Sequence, residues 1–231
     1  MSRKNNFSCT LSLLLSLSLQ GVVLAANFNR AQEPKDQRES AHPLEQGMKV
    51  VVLIHNYAHL PSQVLSDAKD RTSLIFRKIG VEVAWADCPL ANEDPTSYPE
   101  CPAVVDATQL FLRIFPMTAA KVQDGGQAFV MARIANIFWN RVEEQAQRLN
   151  VSAPRLMGHT IAHELGHLLL GSNSHSPAGI MTARWDATTV TRICQEGLYF
   201  NHQQSELIRS EVRQRQDQQS VVENPQLIQE R

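Results

Sequence analysis

The stretch SAPRLMGHTIAHELGHLLLG, Ser152 to Gly171, constrains this chain more than any other. Ser152 and Pro154 have the character of an N-cap and a first-turn proline, and Gly171 that of a helix stop. The spacing therefore predicts one helix running to about Leu170. The segment is apolar, yet it carries His159, His163, Glu164 and His167. On a helix, residues four apart share a face one turn above the other, so His163 and His167 can each aim an imidazole nitrogen at one point. Glu164, next in sequence to His163, projects about a quarter-turn around the axis.

Neutral imidazole suits zinc. A carboxylate placed near the ion but not on it can take the proton of a zinc-bound water and pass it to a leaving amine. Zinc lowers the pKa of that water towards ~7 and polarises a scissile carbonyl. The pattern thus predicts Zn2+ as cofactor, His163 and His167 as ligands and Glu164 as the catalytic base. Two histidines and a water leave the site one protein ligand short. His175 is the first choice for the third: the turn-forming GSNS that begins at Gly171 lets the chain reverse and bring it back. The competing reading makes His175 a surface-loop residue and completes the site with Asp186, Glu196 or Glu206, although Asp186 reads better as a cap before ATTV. His159, one turn before His163, reads as a core or supporting histidine. His55 and His59, after the first strand, and His202, at the start of the last helix, are not expected to function.

The segment HELGHLLLGSNSH resembles the signature of the metzincin zinc endopeptidases, H-E-x-x-H-x-x-G-x-x-H followed by a methionine turn. His163, Glu164 and His167 match directly. Gly171 and His175 depart from it, with LLL before the glycine and SNS before the histidine where the family has two residues each. The spacing HExxHxxxGxxxH is that of a helix one residue longer and a loop one residue wider. The following SPAGIM resembles a short route to the methionine turn, with Met181 in that role or simply as a core methionine. The resemblance implies a zincin-like fold and cleavage of peptide bonds. It also implies that the strand QAFVMA is a sheet edge along which an extended substrate lies antiparallel.

The rest of the chain fits one α+β domain: a small twisted mixed sheet of about four to five strands packed on helices, with the HExxH helix and a C-terminal helix. MKVVVLI (Met48–Ile54), VEVAWAD, TQLFLRIF, QAFVMA and ANIFW read as strands. A helix opens at Pro61 with Leu65, Ala68, Thr72, Ile75 and Ile79 as its apolar stripe and ends at Gly80. A second runs from about Asn140 to Leu149, and a last one from Asn201 to about Gln216. Trp185 and Tyr199 read as core aromatics or as lining of a substrate pocket.

Arg3 and Lys4, the apolar run Leu11–Ala25 and small residues at its end predict a signal peptide over residues 1–25, with a membrane anchor as the alternative. Residues 26–46 read as a disordered leader, 47–217 as the zinc metallopeptidase domain and 218–231 as a polar tail. Export to the outside or the periplasm permits disulfides. Cys88 and Cys101 bracket PLANEDPTSYPE and are expected to pair, the alternative being two free thiols; Cys194 is then left over. The net charge is −1, and about −3 once Arg3 and Lys4 leave with the signal, so nucleic acid is not the expected partner. No stable membrane insertion is expected after signal removal. Together these features predict a secreted zinc metalloendopeptidase acting on peptides or proteins. The alternative is a non-catalytic binding module with a structural or degenerate zinc site.

Overall fold

The computed structural model describes residues 47–117 and 125–223. The expected signal segment, the leader and the last residues of the polar tail lie outside them. Five strands form one mixed sheet: β1 (Lys49–Asn56), β2 (Glu82–Asp87), β3 (Gln109–Phe115), β4 (Gly126–Phe129) and β5 (Ile134–Phe138), in the order β2-β1-β3-β5-β4. The first four in that order run parallel, and β4 closes the edge antiparallel to β5. The helices are α1 (Ser62–Arg77), α2 (Trp139–Leu149), α3 (Ala153–Leu170), α4 (Ala187–Gln195) and α5 (His202–Glu223). The expected α+β class is the one observed.

Alternation along the strands decides what each sheet face meets. Val50, Val52 and Ile54 of β1 share parity with Leu110, Leu112 and Ile114 of β3 and with Ala135 and Ile137 of β5, and all are buried on the helical side. Each of these valine, leucine and isoleucine side chains stabilises the fold by ~1.5–3 kcal/mol relative to exposure. The opposite parity puts Leu53 and Ala86 on the other face, in a small separate cluster with Cys88, Cys101 and Phe111. Cys88 and Cys101 are joined in a disulfide across 13 residues, as the spacing suggested. The bridge closes the acidic loop beside this smaller cluster.

α1 presents Leu65, Ala68, Thr72 and Ile75 of the expected stripe, with Phe76 beside them, to the core; it ends at Arg77, short of the expected Gly80, so Ile79 is buried from the turn that follows. α3 is buried on every side from Leu156 to Leu169 and packs on α1, α2, α5, β4 and β5. A helix with no solvent-exposed face belongs at the centre of the molecule. Its ends match the sequence: the Ser152 side chain accepts a hydrogen bond from the Arg155 N–H, and Gly171, at φ 95°, closes the last turn. Asp186 likewise caps α4 by accepting from the Thr189 N–H.

Three boundaries differ from expectation. QAFVMA is strand only to Phe129; Val130–Ala132 form a 3-10 turn that ends at Arg133 in the left-handed region (φ 56°). These apolar residues make the β4–β5 hairpin turn, leaving Met131 98% exposed, because Phe129 already pairs with Ile134. ANIFW stops as a strand at Phe138, since Trp139 begins α2. α5 continues past Gln216 and Gln218 to Glu223, so the polar tail does not begin where its composition changes. Glutamine and glutamate favour the helix, and the Arg215–Glu211 pair, one turn apart, supports it.

α3 lies unusually close to α1 at Gly158. A methyl group there would come within 2.6 Å of Arg71 Cβ and 2.7 Å of the Ala68 carbonyl oxygen. Thr72 Oγ1 stands 2.9 Å from both the Gly158 and the Ala68 carbonyl oxygens, sharing its proton across the contact. Gly158→Ala is therefore expected to destabilise the chain by about 1–3 kcal/mol despite the better helix propensity of alanine. Urea unfolding midpoints check this; a variant as stable as the parent contradicts such close packing.

Candidate functional site

Burying α3 creates a requirement. His159, Thr160, His163, Glu164 and His167 are all buried polar residues on one helix, and each needs a partner. The neighbouring elements supply them. Thr160 Oγ1 donates to the Leu156 carbonyl. His159 Nδ1 lies 2.8 Å from the Arg155 carbonyl oxygen, and its Nε2 accepts the Leu198 N–H at 3.4 Å. His159 thus pins α3 to the segment before α5 and is a core histidine.

His163 Nδ1 lies 2.8 Å from the Ile180 carbonyl oxygen. A carbonyl only accepts, so Nδ1 carries the proton and Nε2 the lone pair. Ile180 is placed by its own N–H, which donates to the Tyr199 carbonyl, and by Gly179, where a Cβ would meet that same carbonyl oxygen at 2.7 Å. His167 Nδ1 is 2.9 Å from Ser174 Oγ. His163 Nε2 and His175 Nε2 each lie 3.1 Å from His167 Nε2. The three rings offer ligand atoms that all fall within 4.8 Å of one another, and among the described residues they are the only group of three or more metal-binding side chains to do so.

His175 therefore returns to the helix, across the turn that follows Gly171. The loop that carries it is fastened on both sides. Ser174 Oγ donates to the Gly171 carbonyl at 2.7 Å. The Ser176 N–H donates to the Met181 carbonyl at 2.9 Å, and Ser176 Oγ accepts from Gln204 Nε2 of α5. Met181 is fully buried, its sulfur packed where a Cβ on Gly166 would lie. The residue just before it, Ile180, holds His163. The expected Met181 turn and the His175 loop are thus one short closed structure beneath the HELGH segment.

Glu164 is 6% exposed and stands against β4: a Cβ on Gly126 would fall within 2.6 Å of its Oε1. The edge strand and the carboxylate meet with no side chain between them. Trp185, half-buried, sets its indole edge-on to the rings of His163 (5.8 Å) and His159 (6.4 Å). Tyr199 packs against the core. The rival acids are engaged elsewhere: Asp186 caps α4, Glu206 pairs with Arg209 and Glu196 ends α4. His55 bonds the Pro89 carbonyl, and His59 sits in a turn with φ 48°.

Burial favours the neutral form of the two helical rings. Burial pushes His163 down from 6.5 to about 4, helped by nearby His167 and His175 and opposed by the bond to Ile180. Burial also lowers His167, with His175 acting in the same direction. Neutral imidazole is the metal-binding form.

The donor set fits zinc. Nitrogen ligands at ~2.0–2.1 Å from a tetrahedral ion stand about 3.3–3.4 Å apart; the two closest pairs here stand at 3.1 Å. Without a cation the lone pairs of His163 and His167 would face each other at that distance. Sequence spacing pointed to the three histidines, Glu164 and Met181. It did not point to Ile180, Ser174 or Gly126. The first acts through a backbone carbonyl, which every residue has. The second sat in a stretch read only as a turn, and the third is a glycine, whose residue type does not tell which side chain will approach it.

No family model and no curated protein matches the chain. Two solved structures of similar shape are a zinc-dependent peptidase from Methanocorpusculum labreanum and an archaemetzincin from Methanopyrus kandleri. The first has TM-score 0.48 and 15% identity, covering 68% of this chain and 99% of that one. The second has TM-score 0.48 and 17% identity, covering 74% of this chain and 99% of that one. Likeness at this level assigns no chemistry, which rests on the residues themselves.

Burial of neutral histidines also sets a pH dependence. In the unfolded chain His159 and His163 take a proton near 6.5, whereas in the folded, zinc-free chain burial, their largest influence, holds both to about 4. The proton therefore favours unfolding. Stability is complete above pH 6.5 and falls as the pH drops towards 4, by about 1.4 kcal/mol per pH unit for each histidine. Denaturation midpoints measured across that range in the zinc-free chain check the slope. His159→Gln, which keeps a donor and an acceptor, should reduce it; an unchanged slope contradicts the burial of a neutral ring at 159.

Proposed function

We propose that the chain is an exported zinc metallopeptidase of metzincin type. One observation carries the reading: three imidazole Nε2 atoms converge while neighbouring oxygens occupy the Nδ1 positions of His163 and His167. That arrangement presents lone pairs to a common centre, as metal ligands must. His163, His167 and His175 would hold the ion, leaving a fourth position open, as catalytic sites do and structural ones do not. Zinc there supplies a Lewis acid that polarises the scissile carbonyl and makes water acidic enough to react at neutral pH.

Glu164 does the proton work. Buried beside the triad and unused as a ligand, it takes a proton from the attacking water and returns it to the leaving amine. A purely structural site has no need of that carboxylate. β4 is an edge strand whose second side is unpaired by the sheet, and Gly126 brings its main chain against Glu164. An extended peptide adding to this edge antiparallel would place its carbonyls near the base through main-chain hydrogen bonds alone, which suits peptides generally.

Arg3, Lys4 and the apolar run to Ala25 support the export reading, and the Cys88–Cys101 disulfide suits an oxidising destination. Among the described residues no helix is long and apolar enough to cross a membrane.

Two substitutions separate the roles. Glu164→Gln should retain about one zinc per chain and lose at least ~100-fold in peptide cleavage. His175→Ala should lose most of its metal. Metal analysis of the purified proteins and a quenched-fluorescence peptide library provide the measurements. A zinc-loaded parent that cuts no member of the library makes the domain a non-catalytic module instead, and a His175→Ala variant that holds zinc like the parent removes His175 from the site.

A further inference from the structure

We infer that Ser174 is a positioning residue of the metal site: its hydroxyl accepts the Nδ1 proton of His167 and so keeps that ring's Nε2 lone pair turned to the ion. The inference rests on the proposed zinc site and adds to it a side chain that neither binds metal nor touches substrate.

Hydrogen-bond direction fixes the assignment. Ser174 Oγ lies 2.7 Å from the Gly171 carbonyl oxygen. Two oxygens stand that close only when a proton lies between them, and the carbonyl has none to give. The hydroxyl proton is therefore committed to Gly171. What Ser174 offers His167 Nδ1, at 2.9 Å, is a lone pair. The ring nitrogen facing it must carry the hydrogen, which leaves Nε2 unprotonated. The Gly171 carbonyl cannot perform this alone, because at 3.5 Å from Nδ1 it is at the limit of a hydrogen bond. Ser174 relays it: His167 donates to the hydroxyl, and the hydroxyl donates to the helix-ending carbonyl.

The two helical histidines are thus oriented by different means. His163 is held by the main chain of Ile180, which almost any residue at 180 would supply. His167 is held by a side chain, and only serine or threonine has a hydroxyl there. Ser174 also directly precedes His175, so the segment that delivers the third ligand delivers the orientation of the second. Closing that loop onto α3 completes both at once. This gives the wider GSNS loop a chemical role beyond reach.

Ser174→Ala and Ser174→Thr in the full-length chain test this. Zinc affinity is measured by competition with a chromogenic chelator, and the imidazole tautomers of the zinc-free proteins by long-range proton–nitrogen NMR. The expected result is that Ser174→Ala weakens zinc binding about 10–100-fold, the usual effect of losing a ligand's hydrogen-bond partner. The tautomer of His167 should shift away from Nδ1–H, threonine should restore both properties, and the zinc-free Ser174→Ala chain should still unfold cooperatively, its midpoint lowered only by the loss of the Ser174–Gly171 hydrogen bond. A Ser174→Ala variant with parental affinity and parental tautomer overturns the inference. So does a zinc-free parent in which His167 carries its proton on Nε2. If parent and variants all fail to take up zinc while the tautomer still depends on residue 174, the metallopeptidase reading falls and the orientation of His167 by Ser174 stands.

Discussion

The hydrogen bonds at the Nδ1 atoms of His163 and His167 are the interactions on which the rest of the site depends. Each removes a proton from the inward side of the ring and leaves a lone pair aimed at a shared point. One acceptor is a carbonyl in the turn before Met181; the other is a hydroxyl in the loop before His175. Both lie outside α3, in one short segment that also contains the third imidazole. Ligand and orienting partner therefore come from the same closed loop, and the geometry of the triad follows from how that loop is fastened. Imidazole nitrogens gathered at that spacing fit a divalent cation such as zinc.

The fold serves this arrangement by burying a helix whose few polar side chains, His159, Thr160, His163, Glu164 and His167, lie to one side of an otherwise apolar surface. α3 is long enough to be gripped at its N-terminal half by α1 through Gly158, while its C-terminal half presents His163 and His167 to the loop. Gly166 admits Met181 and Phe200 beneath the site, and Gly126 lets β4 lie directly on Glu164. At three places an absent Cβ sets a distance between α3 or the Glu164 side chain and a neighbour. Such close approaches leave little room for the buried rings and carboxylate to change rotamer.

Much of this was legible in the residues. The strands alternate or run apolar at the right lengths, and α3 carries a serine cap, an early proline and a glycine stop at its observed ends. The pairing of His163 with His167 follows from helical period alone. What stayed hidden has physical causes. Val130–Ala132 are apolar enough to read as strand, but pairing of Phe129 with Ile134 turns them into a hairpin loop. The end of α5 lacks an apolar stripe, so nothing marked it as helix rather than tail. Backbone acceptors such as Ile180 have no identity in a sequence, and the role of Ser174 needs a distance and a hydrogen-bond direction that spacing does not carry.

The central claim is that three imidazole nitrogens, and no other side chains, bind one zinc. X-ray absorption at the zinc edge of the loaded protein tests it most directly. The account predicts a first shell of nitrogen and oxygen only, at ~2.0–2.1 Å, with the outer-shell scattering of three imidazole rings. A sulfur shell from Cys194, or a spectrum that needs only two rings, contradicts it.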